Sequence, residues 1–326
     1  MANKILFLFS FALIVALAAA AVFEFDVSRN LQKGTITIMR GENAFQIAND
    51  LKSEGYIGSK LIFLFRVLES GNFRNLKAGE YDFKGLGYSD IVDKLSLGKT
   101  SSKTITIVPG WDILDIAKYL QTSGVAQMDD FMAVSTGQSL RKEYDFLAIL
   151  PENASLEGYL YPDTYQISEK PAAADLARLM LDNFGKKLPV ALRDEIKKQG
   201  KTIFDVVTMA SVLEKEVKTM DDKKIVAGIL WRRLDAGMPL QVDSSLLYYK
   251  ASGSGTFDKE VDSHYNTYKY LGLPAGPICN PGIESIEAAV YPRESKYWYY
   301  LSAKDGTTIF SKTYDEHLAN KSKYLD

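Results

Sequence analysis

A duplicated segment constrains the fold of this chain most strongly. Residues 34–56 and 103–125 align without a gap, and nine of the twenty-one positions from Thr35 to Gly55 are identical in the second copy. In each copy, alternating apolar residues predict a strand, a glycine predicts a turn, and apolar residues at helical spacing predict an amphipathic helix closed by a second glycine. A duplication of this kind predicts two related α+β units within residues 34–185.

The two copies continue in a similar way. Residues 76–83 (LKAGEYDF) precede a predicted helix from Tyr88 to Leu97, and residues 160–167 (LYPDTYQI) precede one from Ala172 to Phe184. In the first copy a second helix is predicted over Lys60–Leu68. Strand-helix-helix units with this glycine pattern resemble the LysM family of glycan-binding modules. A duplicated packing unit without a ligand fits the same pattern, so both interpretations stay open.

The N-terminal segment Ile5–Phe23 contains nineteen residues without a charge. At about 1.5 Å per residue, a helix of this length nearly spans a hydrocarbon core of ~30 Å. Lys4 precedes the segment, so the positive-inside bias leaves the bulk of the chain outside the cytoplasm. A cleaved signal peptide is the alternative, because Ala18–Ala21 could supply the cleavage site. The expectation is an uncleaved transmembrane helix over residues 5–23, with residues 1–4 as a cytoplasmic tail and residues 24–33 as a spacer.

Composition excludes several classes of function. The chain has 326 residues, 46% of them hydrophobic, which is enough for two domains with real cores. A formal charge of -2 provides no basic surface for nucleic acid. The single cysteine, Cys279, cannot form an internal disulfide, and neither His264 nor His317 has a metal-ligand spacing with a partner. No metal or other cofactor is therefore expected.

The stretch Thr202–Val217 (TIFDVVTMASVLEKEV) carries the chemistry that the sequence suggests most strongly. Thr202 and Asp205 have the spacing of a helix cap, and apolar residues recur at helical spacing behind them. A carboxyl held against apolar neighbours tends to have a raised pKa, as a general acid needs. Glu214 and Glu216 both have apolar neighbours, so spacing cannot separate them. Two solvated charges at the end of an amphipathic helix are the plainer interpretation.

Further motifs surround this helix in sequence. LEGYLYPDTY (156–165) packs two acids, three aromatic residues and a proline into ten positions, as a buried corner or a binding wall would. Gln241 and Asp243 follow a predicted helix over Asp222–Asp235, where an extended segment would point both side chains the same way. Residues 263–282 are too rich in proline and glycine for regular structure. Strands over 296–303 and 307–310 are predicted to form a hairpin, followed by a helix over 314–322.

These stretches resemble one family, the endolytic murein transglycosylases, also called YceG-like proteins. The resemblance is carried by LEGYLYPDTY, MASVLEKEV (209–217), the 233–243 run, residues 265–282 and DGTTIFSKTYDEH (305–317). Two departures occur: Ser244 and Ser245 replace a usual Pro-Thr pair, and Thr308 and Ile309 stand where the family often has a histidine. The implied fold class is α+β: an N-terminal transmembrane helix, a LysM-like α+β unit over 34–101, and a larger catalytic domain over 102–326 that contains the second related unit.

The resemblance implies that Glu214 is the single general acid/base. The implied reaction cleaves the β-1,4 bond between N-acetylmuramic acid and N-acetylglucosamine within nascent strands and leaves a 1,6-anhydro end, which would terminate glycan polymerisation. One carboxyl suffices because the 6-hydroxyl of the sugar is the nucleophile, whereas ordinary glycosidases need two. The residues implied as substrate-binding or orienting groups around the groove are Glu157, Tyr159, Gln241, Asp243, Asn266, Tyr268 and Asn280.

The implied partners are peptidoglycan strands, the peptidoglycan synthases that make them, and the membrane through the single N-terminal helix. The implied location is the bacterial inner membrane, with the bulk of the chain in the periplasm or otherwise outside the cytoplasm. Two alternatives remain: a non-catalytic murein-binding scaffold, and a hydrolase in which Asp243 is a second carboxylate that activates water. For Asn266 and Asn280, stabilisation of turns is the structural alternative to sugar binding.

Overall fold

The computed structural model describes residues 35–98, 102–168, 171–251, 253 and 258–325. The chain divides into two compact units, residues 1–103 and residues 104–326. Each unit has a hydrophobic core of its own, and the two cores share no residue. The described elements are helices and short two-stranded sheets, so the protein is α+β.

In the smaller unit, a two-stranded antiparallel sheet packs against three helices. Strand β1 pairs with β2 in a register that places Thr35 opposite Asp82 and Ile38 opposite Gly79. The first helix begins after Asn43, whose side chain accepts the backbone N–H groups of residues 45 and 46. The elements are β1 (Thr35–Ile38), α1 (Ala44–Ser53), α2 (Lys60–Glu69), β2 (Gly79–Asp82) and α3 (Tyr88–Leu97).

The larger unit repeats the strand-helix-helix order and then adds a helical region and a hairpin. Strand β3 pairs with β4, and β5 pairs antiparallel with β6. Two short 3-10 helices, Arg141–Glu143 and Asp145–Leu147, precede β4. The elements are β3 (Ser102–Thr106), α4 (Ile113–Thr122), α5 (Met128–Thr136), β4 (Thr164–Ser168), α6 (Ala173–Lys187), α7 (Val190–Lys198), α8 (Ile203–Glu216), α9 (Met220–Asp235), α10 (Asp243–Ala251), α11 (Ile283–Val290), β5 (Tyr299–Ser302), β6 (Thr308–Ser311) and α12 (Tyr314–Tyr324).

The predicted fold class needs one correction. Its α+β part agrees with the elements, but it also included an N-terminal membrane-spanning helix. Within the described ranges, no helix combines the length and the apolar character that crossing a bilayer requires. The segment for which that helix was expected, residues 5–23, lies outside the described residues. The structure therefore supports the α+β part of the fold class, and the described residues contain no membrane-spanning helix.

Helix α8 is the central element of the larger core. Thr202 caps it by accepting the backbone N–H of Asp205 at 3.0 Å, and the Asp205 carboxylate accepts the N–H of Thr202 in return. All eight residues from Val206 to Leu213 are buried, because α8 packs against α7, α9, α10 and α11. The predicted cap and helix are confirmed. Because the helix is surrounded by other elements, its last turn is held in a fixed position.

Candidate active site

A cavity of about 570 Å³ opens where the end of α8, the segment before α10, the β5–β6 hairpin and α12 meet. Its walls combine tyrosine rings with charged and amide side chains. The lining residues are Glu216, Arg233, Leu240, Gln241, Asp243, Lys259, Tyr268, Tyr299, Tyr300, Leu301, Ser302, Tyr314, His317, Leu318, Lys321 and Leu325. Three of the residues predicted to bind substrate, Gln241, Asp243 and Tyr268, lie here together. Glu214 is not among the lining residues.

Glu216, the last residue of α8, presents its carboxyl to this cavity. The Tyr300 hydroxyl donates a hydrogen bond to Glu216 Oε2 at 3.3 Å, and the Ser302 hydroxyl donates to the Glu216 carbonyl at 3.0 Å. Burial raises the pKa of Glu216, and the charge of Asp243 adds to that increase. The neighbouring N–H of Ser244 and the Tyr300 hydroxyl act in the opposite direction. A raised pKa favours the protonated carboxyl, which can donate a proton.

Gln241 and Asp243 reach the cavity through an unusual backbone turn rather than through an extended segment. Gln241 has φ 56°, in the left-handed region that a residue with a Cβ seldom adopts. Thr267 holds this turn, because its carbonyl accepts the Gln241 N–H at 3.1 Å and its hydroxyl accepts the Val242 N–H at 3.0 Å. Asp243 then begins α10 and accepts a 2.6 Å hydrogen bond from the Tyr268 hydroxyl. Strain of this kind is found at functional sites, where surrounding contacts maintain it.

Glu214 lies on another side of α8, in a network of polar contacts. Its Oε2 accepts hydrogen bonds from the Gly282 N–H at 3.0 Å and from the Ser285 hydroxyl at 2.6 Å, at the start of α11. Its Oε1 lies 3.4 Å from Lys223 Nζ, and the two side chains are 13% and 6% exposed. A carboxylate at a helix N-terminus that also pairs with a buried lysine stabilises the junction of α8, α9 and α11.

Glu157 and Asn280 form a buried hub that joins four segments of the chain. Glu157 accepts hydrogen bonds from the Ile113 N–H at 3.1 Å, the Tyr248 hydroxyl at 3.2 Å and Asn280 Nδ2 at 3.0 Å. Asn280 Oδ1 in turn accepts the N–H groups of Gly158 and Leu160. Burial raises the pKa of Glu157 to about 8. Because Glu157 is 4% exposed and Asn280 is fully buried, both join buried segments and neither lines the cavity.

Two more of the predicted binding residues are also buried. Tyr159 has no exposed surface, and its ring packs 5.0 Å from that of Phe184. Asn266 is equally buried, and its side-chain amide donates to the carbonyls of Lys259 and Val261 at 2.8 and 2.9 Å. The Asn266 contacts correspond to the turn-stabilising role that the sequence left open.

Several cavity residues were not singled out from the sequence. Arg233 lies on α9, Tyr299 and Tyr300 lie on β5, and His317 and Lys321 lie on α12. The signal available in the sequence was the 305–317 motif together with the helical spacing of Tyr314, His317, Leu318 and Lys321, which places them on one helix face. Nothing in the sequence shows that this face meets the end of α8.

An α+β fold that presents a carboxyl of raised pKa in a cavity rich in tyrosines is typical of an enzyme that works by acid–base catalysis. The comparisons with known proteins agree with this class. The chain belongs to the YceG-like family, which matches residues 36–323.

Relatives and a solved structure support the same family. An endolytic murein transglycosylase of Bacillus subtilis is 32% identical over 308 residues, covering 89% of this chain and 84% of the relative. An endolytic murein transglycosylase of Streptococcus pneumoniae is 29% identical over 326 residues, covering 90% of this chain but only 58% of the longer relative. A crystal structure of a yceG-like protein from Listeria monocytogenes superposes with a TM-score of 0.60 at 33% identity, over 88% of this chain and 98% of that one.

Proposed function

We propose that this chain is an endolytic murein transglycosylase, an enzyme that cleaves peptidoglycan strands at internal glycosidic bonds. The names of the curated relatives and the family membership support this activity. The single observation that carries the mechanism is the carboxyl of Glu216, which lines the cavity and has a pKa raised by burial.

Between the two glutamates of the helix, the geometry favours Glu216 as the acid. Its carboxyl lies in the cavity beside Tyr300, whereas the Glu214 carboxylate is occupied by Gly282, Ser285 and Lys223. A general acid must be protonated and must reach the leaving oxygen. Burial raises the pKa of Glu216, which favours the protonated form, and its carboxyl lines the cavity in which a strand would lie. Glu214, which the sequence resemblance implied as the acid, has the contacts of a residue that fixes the end of α8.

The reaction then needs one carboxyl and no water. Glu216 protonates the glycosidic oxygen between N-acetylmuramic acid and N-acetylglucosamine, and the bond to the anomeric carbon breaks. The resulting carboxylate accepts the proton of the muramyl 6-hydroxyl, whose oxygen bonds to the anomeric carbon and forms a 1,6-anhydro end. The Tyr300 hydroxyl, 3.3 Å from Glu216 Oε2, stabilises the carboxylate between the two transfers.

Asp243 supports a second candidate reaction, hydrolysis. It lines the same cavity as Glu216, and a pair of carboxyls could activate water and protonate the leaving group. Mass spectrometry of the fragments separates the two reactions, because a transglycosylase product lacks one water relative to the hydrolysis product. A scaffold without activity would release no fragment.

The test of the acid compares variants of the two glutamates on purified glycan strands. Glu216→Gln removes the transferable proton and is expected to lower the rate by at least ~10²-fold without unfolding the protein. The matched control is Glu214→Gln combined with Lys223→Met, because Glu214→Gln alone leaves a buried lysine unpaired, at a cost of about 3 kcal/mol. The control should keep activity within about tenfold of wild type. Normal turnover by Glu216→Gln, with loss of turnover in the control, would assign the acid to Glu214 instead.

Three further roles stay proposals that rest on the family resemblance. The substrate lies outside the cytoplasm, so we propose that the enzyme acts there. Association with peptidoglycan synthases and termination of glycan polymerisation would follow from action on nascent strands. Glycan binding by the LysM-like unit, residues 34–101, would be measured as strand affinity in the isolated unit.

A further inference from the structure

The cavity contains a buried guanidinium that pairs with no acid. Arg233 is 5% exposed. Its Nε donates to the Trp298 carbonyl at 2.8 Å, and its Nη1 donates to the carbonyls of Leu240 at 2.9 Å and Pro239 at 3.4 Å. The guanidinium carbon lies 4.8 Å from the centre of the Tyr299 ring. In the described part of the chain, no carboxylate forms an ion pair with Arg233.

These contacts leave one side of the guanidinium available. Two nitrogens are used by backbone carbonyls, whereas Nη2 makes no hydrogen bond to any described residue. Burying an unpaired charge is costly, and buried arginines in proteins normally face an anion. The planar fork of a guanidinium matches the two oxygens of a carboxylate or phosphate. The missing anion is therefore best supplied by a ligand that enters the cavity.

The α12 wall of the cavity adds further positive charge. Lys321 is exposed at the rim and has no acid partner in the described ranges, whereas Lys259 lies 3.9 Å from Asp243. Burial lowers the pKa of His317, and the charges of Lys321 and Arg233 lower it further, which favours the neutral ring. His317 Nδ1 is buried with no partner in the described structure. The cavity thus has acids on the α8 and α10 side and uncompensated cations on the α9 and α12 side.

We propose that Arg233, with Lys321 at the rim, binds a carboxylate carried by the glycan strand and thereby sets the strand over Glu216. The proposal rests on the proposed murein-cleaving function and adds a requirement for charge on the substrate. Two sources share this chemistry: the lactyl carboxylate of muramic acid in strands without peptides, and the carboxylates of the stem peptide in intact strands. A chitin-like strand of N-acetylglucosamine alone carries neither group.

The experiment uses the full chain and four substrates. These are peptide-free strands and peptide-bearing strands, each with free carboxylates or with the carboxylates converted to neutral amides. The variants are Arg233→Met, which removes the charge at similar length, and Lys321→Gln. Lys323→Gln is the control, because Lys323 is exposed on the same helix but does not line the cavity. Cleavage gives kcat and KM, and strand binding by Glu216→Gln gives Kd when no cleavage occurs.

Amidation of the strand should lower the kcat/KM of the wild-type enzyme by about 10- to 100-fold, mainly by raising KM. We expect this loss on either the peptide-free or the peptide-bearing strands, and the affected kind of strand identifies the source of the carboxylate. Arg233→Met should lose the same factor on the charged strands and become insensitive to amidation. Lys321→Gln should show a loss of about 2- to 5-fold that diminishes at high salt, whereas Lys323→Gln should match wild type.

Equal cleavage of charged and amidated strands by wild type would overturn the inference while leaving the enzymatic function intact. A variant Arg233→Met that stays as sensitive to amidation as wild type would do the same. If Arg233→Met fails to fold, the Lys321→Gln variant provides the test. If amidation of the strand lowers the kcat/KM of Lys321→Gln as much as that of wild type, the proposal is contradicted. A wild-type protein that cleaves no strand refutes the proposed function, and the Kd of Glu216→Gln for charged and amidated strands still tests the carboxylate site.

Discussion

Glu214 and Glu216 are two residues apart on one helix and have different surroundings. The Glu214 carboxylate accepts hydrogen bonds from the Gly282 N–H and the Ser285 hydroxyl at the start of α11, and it also lies beside Lys223. The Glu216 carboxyl instead lies beside Tyr300 and lines the cavity. A separation of two residues turns the side chains by about 200° around a helix. The same local sequence therefore places one carboxyl in a buried polar network and the other at the cavity.

Ser244 gives a residue-scale prediction about pH. The raised pKa of Glu216 predicts that kcat/KM falls as pH rises through that pKa, because the acid form is lost. The N–H of Ser244 holds the pKa below the level that burial alone would produce. Ser244→Pro removes this N–H within the first turn of α10, where proline is tolerated. The alkaline limb of the pH–rate profile should therefore move to higher pH.

Ser244→Ala is the matched control, because it keeps the N–H and should move the limb less. If the alkaline limb of the pH–rate profile of Ser244→Pro stays at the same pH or moves to lower pH, the placement of Ser244 beside the acid is contradicted. The prediction concerns the pH profile and not the maximal rate, so a modest loss of stability does not obscure it.

At the residue scale, the sequence motifs did not separate side chains that line the cavity from side chains that are buried. Gln241, Asp243 and Tyr268 meet in the cavity as their motifs suggested. Glu157 and Asn280 come from equally distinctive motifs but are buried in a hub. Whether a polar side chain faces a cavity or a backbone depends on contacts between segments far apart in sequence, and residue type does not encode that distinction.

Among the elements, the 156–165 segment is held closely against its neighbours. Gly158 has φ 88°, and a Cβ at this position would lie 2.6 Å from Pro277 Cβ and 2.7 Å from Val207 Cγ1. The segment can therefore approach α8 and the 263–282 loop only because residue 158 has no side chain. This close approach also brings the Gly158 N–H to Asn280.

Gly158→Ala is expected to destabilise the larger unit by about 3 kcal/mol, because it combines overpacking with a left-handed backbone. Thermal unfolding would record the loss as a lower Tm. Gly276→Ala is the control in the facing loop, since its Cβ would meet its nearest neighbour at an ordinary 3.4 Å. Equal effects of the two substitutions would show that the close contact at residue 158 is not responsible.

For the elements, the sequence predicted local structure well. The duplicated strand-helix order, the cap of α8 and the absence of regular structure over 263–282 all agree with the structure. The predicted extended segment at 241–243 was wrong, because Gln241 adopts a left-handed turn and Asp243 starts a helix. The Thr267 side chain and carbonyl hold that turn from another segment, so local propensity could not reveal it.

At the scale of the whole molecule, the two separate cores predict separate effects of core substitutions. Phe63 is fully buried in the core of the smaller unit. Phe63→Ala should destabilise that unit by about 3–5 kcal/mol through loss of apolar burial and creation of a cavity. Hydrogen exchange should then lose protection in α1, α2 and α3, while α8 keeps its protection. Equal loss of protection in α8 would show that the two cores unfold together.

Because α12 forms one wall of the cavity and lies at the C-terminal end of the described chain, the cavity is completed late in translation. Glu216 is translated well before Tyr314, His317 and Lys321. A nascent chain therefore contains the proposed acid before it contains the opposite wall of the cavity. Any product of premature termination between these points has the glutamate but not the opposing wall. A truncated chain of this kind is expected to lack strand-cutting activity, because one wall of its cavity is missing.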